Sequence, residues 1–184
     1  MHKKTIILLT LIATMALTAV PVLAIKPAGP SAKNGLEKGT NDHLYLYEKD
    51  PQDTEWPIVE EPAWAKININ TKHGKFVCNA HQLEPDTTYA LICYQDPWPG
   101  DRSLILGTGI ADENGNVHIK GTIDYDTLPS SEYIINEGEE DEKTVDGSKI
   151  WLVLADDYDE DHMTGWNPTE YLFEFDLINQ EIIS

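Results

Sequence analysis

The chain has 184 residues, with 32 Asp or Glu against 13 Lys or Arg and a formal net charge of −19. With 41% hydrophobic and 24% charged residues it suits a globular domain rather than a disordered acidic tail, and its length allows one ordinary domain. The acidity argues against nucleic acid or an anionic membrane surface as partner, since both need clustered Lys and Arg. Two cysteines are too few for a disulfide-dense scaffold.

At the N-terminus, Lys3 and Lys4 precede an uncharged, mostly apolar run over residues 5–20, followed by Val22-Leu23-Ala24. This is the layout of a secretory signal peptide cut after Ala24. The run is short of the roughly 20 residues that span a bilayer, so cleavage is expected rather than a retained anchor. Residues 1–24 are thus expected to be the signal peptide, leaving a secreted or cell-surface protein with no membrane partner. Residues 25–42, rich in Pro, Gly, Ser and Lys without an apolar period, read as a flexible leader. The domain itself is expected over 43–184.

From His43 onward short β-type runs alternate with turn residues, and no segment sustains a 3.6-residue period. In chain order the strand candidates are 43–48, 63–70, 75–81, 89–95, 104–111, 117–124, 149–155 and 171–178. Residues 89–95 and 149–155 are apolar on both faces, as central strands would be. Asp112-Glu113-Asn114-Gly115-Asn116 between two runs predicts a hairpin joining 104–111 to 117–124. About eight short strands and no helix predict an all-β, antiparallel β-sandwich, and the long connections favour Greek-key crossings.

Leu83-Glu84-Pro85-Asp86-Thr87-Thr88-Tyr89 resembles the tyrosine-corner signature of fibronectin type III domains. That resemblance implies a sandwich corner in which the Tyr89 hydroxyl bonds back to the backbone, with Leu83 and Pro85 as the other signature residues. It is not the immunoglobulin signature, because Cys93 lies four residues after Tyr89. Across most of residues 43–178 the chain also resembles a family of uncharacterised secreted archaeal proteins. The matching blocks are His43–Pro51, Trp56–Glu60, Leu83–Tyr89, Asp96–Gly100, Leu106–Gly121, Ile150–Leu154 and Gly165–Glu174. The resemblance implies a secreted β-sandwich and no particular activity.

Cys78 and Cys93 fall at inward positions of adjacent strand candidates. In an exported protein the expectation is one disulfide, worth about 3 kcal/mol in the chain-entropy model, with two buried thiols as the rival. Asp157, Asp159 and Asp161, hard oxygen ligands at alternate positions, invite calcium, the one cofactor to consider. The EF-hand pattern fails, however, at His162 and Pro168, and a solvated acidic loop explains the run as well. Twelve acids fall within 132–147 and 156–161, so the excess charge is concentrated late in the chain.

No nucleophile elbow, phosphate loop or dinucleotide fingerprint is present, and no His spacing makes a metal motif. Trp98, Trp166 and Trp56 stand in Pro-flanked loops. They suit either a display of rings for sugar stacking or plugs closing the ends of the sandwich. The expectation is a non-enzymatic extracytoplasmic module that binds a cell-surface glycan or envelope protein. A secreted carbohydrate-active hydrolase using a carboxylate pair and a structural envelope component are the alternatives.

Overall fold

A computed structural model describes residues 41–94, 103–135, 142–160, 162–174 and 178–179. The signal peptide, most of the leader, Trp98 and Asp161 lie outside the described residues. The strands are β1 (Asn41–Tyr47), β2 (Trp64–Asn70), β3 (Lys75–His81), β4 (Thr88–Tyr94), β5 (Ser103–Ile110) and β6 (Val117–Thr122). They continue with β7 (Ser131–Ile135), β8 (Lys143–Leu154), β9 (Tyr158–Asp159), β10 (His162–Met163), β11 (Phe173–Glu174) and β12 (Ile178–Asn179).

Two antiparallel sheets pack face to face as an all-β sandwich. The first has the order β11-β1-β2-β3-β6, the second β12-β8-β4-β5, with β7 pairing β8 as well. The alternation read in the sequence assigns the faces. Ile67 and Ile69 of β2, Phe76 and Cys78 of β3, and Val117 and Ile119 of β6 enter one core with Leu91 of β4 and Leu152 of β8.

The chain passes from β3 to β4 through the tyrosine corner, where the Tyr89 hydroxyl accepts the Glu84 N–H at 3.2 Å and Leu83 is buried. Pro85 lies exposed in the same crossing. Gly115, at φ +72°, lies against the Leu83 backbone, and its carbonyl accepts the Leu83 N–H at 3.0 Å. A Cβ there would collide with that backbone, so glycine is required on two counts.

The structure departs from the sequence reading in four places. The 112–116 turn forms, with Asp112 N donating to Asn116 O at 2.9 Å, but β5 pairs β4 while β6 pairs β3. The two runs therefore form an arch between sheets rather than a hairpin. They lie face to face because Gly107 and Gly109 leave room for Ile119 and Val117.

The predicted strand over 171–178 is broken. Leu172 bridges Leu152 of β8, Phe173 and Glu174 pair Tyr47 and Leu46 of β1, and Ile178 and Asn179 return to β8. That segment stitches the two sheets together along one edge. Strand β7 is an addition to the eight candidates; its short Ser131–Ile135 run pairs the early half of β8.

The expected disulfide is absent: Cys78 and Cys93 are free, buried thiols. They stand on opposite sheets, not on neighbouring strands. Cys78 lies three residues before the end of β3 and Cys93 five after the start of β4. Measured from the corner, that is a stagger of two residues, roughly 7 Å, on top of a sheet separation of about 10 Å. A disulfide needs Cα atoms within about 7 Å.

Candidate functional site

Strand β4 and the Ile150–Leu154 half of β8 are apolar on both faces because the second sheet carries a second apolar layer. Ala90, Ile92 and Tyr94 of β4, with Trp151 and Val153 of β8, point away from the main core and are covered by Tyr158, Tyr171 and Phe173. The Trp151 indole lies 4.3 Å from Tyr94, 5.0 Å from Phe173 and 6.0 Å from Trp166, centroid to centroid. Trp56 reaches the same cluster from the loop after β1, edge-on to Phe173 at 5.1 Å and 6.3 Å from Trp166. Trp56 holds a backbone φ of +49°, which a bulky side chain adopts at a cost of the order of 1 kcal/mol. Trp166 stands 47% exposed on this base, tilted 52° to both Trp56 and Trp151. The result is an angled ledge, not a coplanar platform.

Two polar networks hold the ledge. In the first, the buried Asp157 carboxylate accepts from the Tyr171 hydroxyl at 2.6 Å and from Asn167 Nδ2 at 2.8 Å, both on Oδ2. The Tyr171 oxygen in turn accepts the Asn167 N–H at 2.8 Å, and the Asp157 carbonyl accepts from Thr164 and Gly165. Gly165 lies against Asp157 Oδ1, where a Cβ would not fit. Burial and the bond to Asp157 raise the Tyr171 hydroxyl well above the usual phenol range.

In the second network, Trp151 Nε1 donates to Glu174 Oε2 while Lys149 Nζ stands 3.5 Å from Oε1. Burial pushes the Glu174 carboxyl up, against the downward pull of the Lys149 and Lys49 charges. Burial likewise lowers Lys49, opposed by Glu174 and reinforced by Lys149.

Of the residues singled out from sequence, Trp56 and Trp166 are brought together, and Trp98 lies outside the described residues. Asp157 is turned into its own loop as an acceptor for two donors, whereas Asp159 is exposed in the small β9–β10 hairpin. Among the described residues no group of three or more His, Cys, Asp or Glu is placed to hold a metal ion. Trp151, Glu174, Lys49, Lys149 and Tyr171 were not singled out. Trp151 and Lys149 share one parity of β8, which was legible, but Glu174 and Lys49 arrive through a break and a loop that no periodicity marks.

A polar depression of about 230 Å³ lies nearby, lined by Glu48, Glu84, Glu170, Gln82, Tyr89 and Tyr171 among others. The carboxylates with shifted pKa stand far apart. Glu174, raised, is on β11 at one edge of the first sheet. Asp112 lies beside β6 at the other edge, held low first by the Asn116 N–H, in the β5–β6 turn. Four strand spacings, roughly 19 Å, separate those edges, so the two do not make a hydrolytic pair. No family model, curated protein or solved structure matches the chain.

Proposed function

We propose that the protein is an exported, non-enzymatic binding module that takes a glycan or an envelope-protein surface on the Trp166–Trp56 ledge. The observation that carries this reading is Trp166, 47% exposed while its supports Trp151, Tyr171 and Phe173 are buried. A large ring held out by a packed aromatic base and braced by hydrogen-bonded carboxylates is suited to stacking against a sugar face or an apolar side chain. Export rests on the residue 1–24 pattern, and kinship with the secreted archaeal family rests on the blocks quoted above; both belong to the proposal.

The test is tryptophan fluorescence of the full chain titrated with a glycan panel, beside the Trp166→Ala variant. A saturable spectral change that the variant lacks supports the reading; no response from any glycan or from envelope extracts removes it.

A second reading, structural assembly, draws on β5. This edge strand carries no Lys or Pro and exposes Ile105 at 38% and Ile110 at 67%. Unprotected apolar edges promote strand addition. Concentration-dependent oligomers abolished by Ile110→Lys would favour it.

A further inference from the structure

We propose that the outer face of the five-stranded sheet is a second binding surface, and that its ligand is an acidic polysaccharide. In a chain of net charge −19, residues 62–83 contain no Asp or Glu and three lysines, Lys66, Lys72 and Lys75. Strand alternation decides where these charges go. The apolar positions of β2, β3 and β6 fill the core, so Lys66, Lys75 and Lys120 project from the opposite face with Asn68, Asn79 and His118. Among the described residues, no outward position of β2, β3 or β6 is acidic. Within these three strands every outward charge is therefore positive.

The register fixes the spacing. Lys66 pairs Asn79, Asn79 pairs His118, Val77 pairs Lys120, and Lys75 pairs Thr122. With strands about 4.8 Å apart and about 6.8 Å per two residues, Lys120 stands roughly 8 Å from Lys75 and roughly 12 Å from Lys66. A shallow depression of about 220 Å³ adjoins Lys75, lined also by Asn68, Asn70 and Val77, with Ile69 and Phe76.

The neighbouring side chains are held in place. The Lys66 ammonium lies 5.6 Å over the Tyr45 ring, and the His81 ring lies 4.7 Å from Trp64. Asn79 Oδ1 is 2.8 Å from His118 Nδ1, and Asn116 Oδ1 is 2.8 Å from His81 Nδ1. An amide oxygen only accepts, so each ring donates from Nδ1. Lys75 and Lys120 have no ion-pair partner among the described residues.

The inventory selects the ligand class. Single-stranded nucleic acid binds through exposed rings, whereas Tyr45 and Trp64 are each only 7% exposed and already face Lys66 and His81. Membrane attachment needs apolar groups to insert, and the exposed large apolar residues Ile105, Ile110, Ile134 and Trp166 are all off this sheet. A flat array of ammonium groups, amides and imidazoles matches a chain that repeats carboxylates and hydroxyls. Lys75 and Lys120, on β3 and β6, lie toward the opposite edge of this sheet from β11, whose Phe173 supports the Trp166 ledge.

The test is calorimetric titration of the full chain with polygalacturonate at low and physiological salt, with dextran as neutral control. Binding that weakens with salt is expected, with none to dextran. A Lys75→Glu/Lys120→Glu variant should bind at least ten-fold more weakly, whereas Trp166→Ala should bind as the parent does. Both lysines are exposed, and an unchanged circular dichroism melt checks the fold; Lys75→Gln/Lys120→Gln is the milder substitute. No binding, equal binding by the lysine variants, or equal binding of dextran overturns the proposal. So does lysine-dependent binding of oligothymidylate or phosphatidylglycerol vesicles in preference to polygalacturonate.

Discussion

The Tyr171 hydroxyl donates to Asp157 Oδ2 at 2.6 Å, and both side chains are buried beneath the loop that carries Trp166. Asp157 also receives Asn167, and Tyr171 receives the Asn167 backbone, so three residues close one ring of bonds. Breaking it at Tyr171 removes one donor from a buried carboxylate and the acceptor of a backbone N–H. Tyr171→Phe is therefore expected to cost about 1–3 kcal/mol. The measurement is the urea midpoint, and Asp157→Ala should lose at least as much with or without added calcium. A calcium-dependent difference between these variants and the parent would show that the acidic run binds the ion after all.

The ledge separates support from contact. Trp151 is buried among Tyr94, Phe173 and Trp166 and donates to Glu174, so Trp151→Ala opens a cavity and strips the carboxylate of a donor. A loss of about 3–5 kcal/mol is expected. Trp166, half exposed, should cost less than about 1 kcal/mol on truncation while abolishing the fluorescence response to ligand. Equal destabilisation by the two substitutions would mean that Trp166 plugs the sheet rather than displays a ring.

Much of this was legible in the chain. Period-two alternation in 63–70, 75–81 and 117–124 gave the right strands and the right inward faces, because one side of that sheet meets solvent. Leu83-Glu84-Pro85 and Tyr89 marked the crossing between sheets because the corner is a local device, closed by a bond over five residues. The two-sided apolarity of 89–95 and 149–155 was visible, but not what lay on the second side. That cover comes from Trp56, Tyr158, Tyr171 and Phe173, whose placement depends on long-range contacts such as Trp151 to Glu174. The disulfide failed for the same reason: parity puts Cys78 and Cys93 in the core but does not say that they stand on different sheets. The acid-free stretch 62–83 was equally visible as text. Only the register with β6 turned it into a surface.

Glu174 gives a pH signature. Its carboxyl is raised by burial above the ordinary value of 4.5, with Lys149 and Lys49 opposing. A folded-state pKa above the unfolded one means a contribution fully present below about pH 4.5 and lost as pH rises through the folded value. The parent should therefore gain stability relative to Glu174→Gln as pH falls from 7 toward 5, measured as paired urea midpoints. The variant also removes the oxygen that faces Lys149, so its cost includes that contact at every pH. A difference that moves the other way with pH would place the Glu174 carboxyl in a solvated, ion-pair-dominated setting.

The thiols supply the remaining prediction. Burial pushes both Cys78 and Cys93 up to about 12, with the Ser148 contact pulling Cys93 slightly back. At pH 8 neither forms appreciable thiolate in the folded state, so a disulfide-exchange reagent should label none natively and two after denaturation in guanidinium. Reductant should leave the melting temperature unchanged, since no bond exists to cut. The unfolded chain releases these protons from about pH 9, where the native state still holds them, so stability falls as pH rises from there toward 12. The slope approaches about 1.4 kcal/mol per pH unit for each thiol. Cys78→Ala should flatten that decline by one thiol's share, at a cost in packing against Ile67 and Ile119 across the strands. A reductant-sensitive melting temperature, or fewer than two labelled thiols after unfolding, would restore the disulfide.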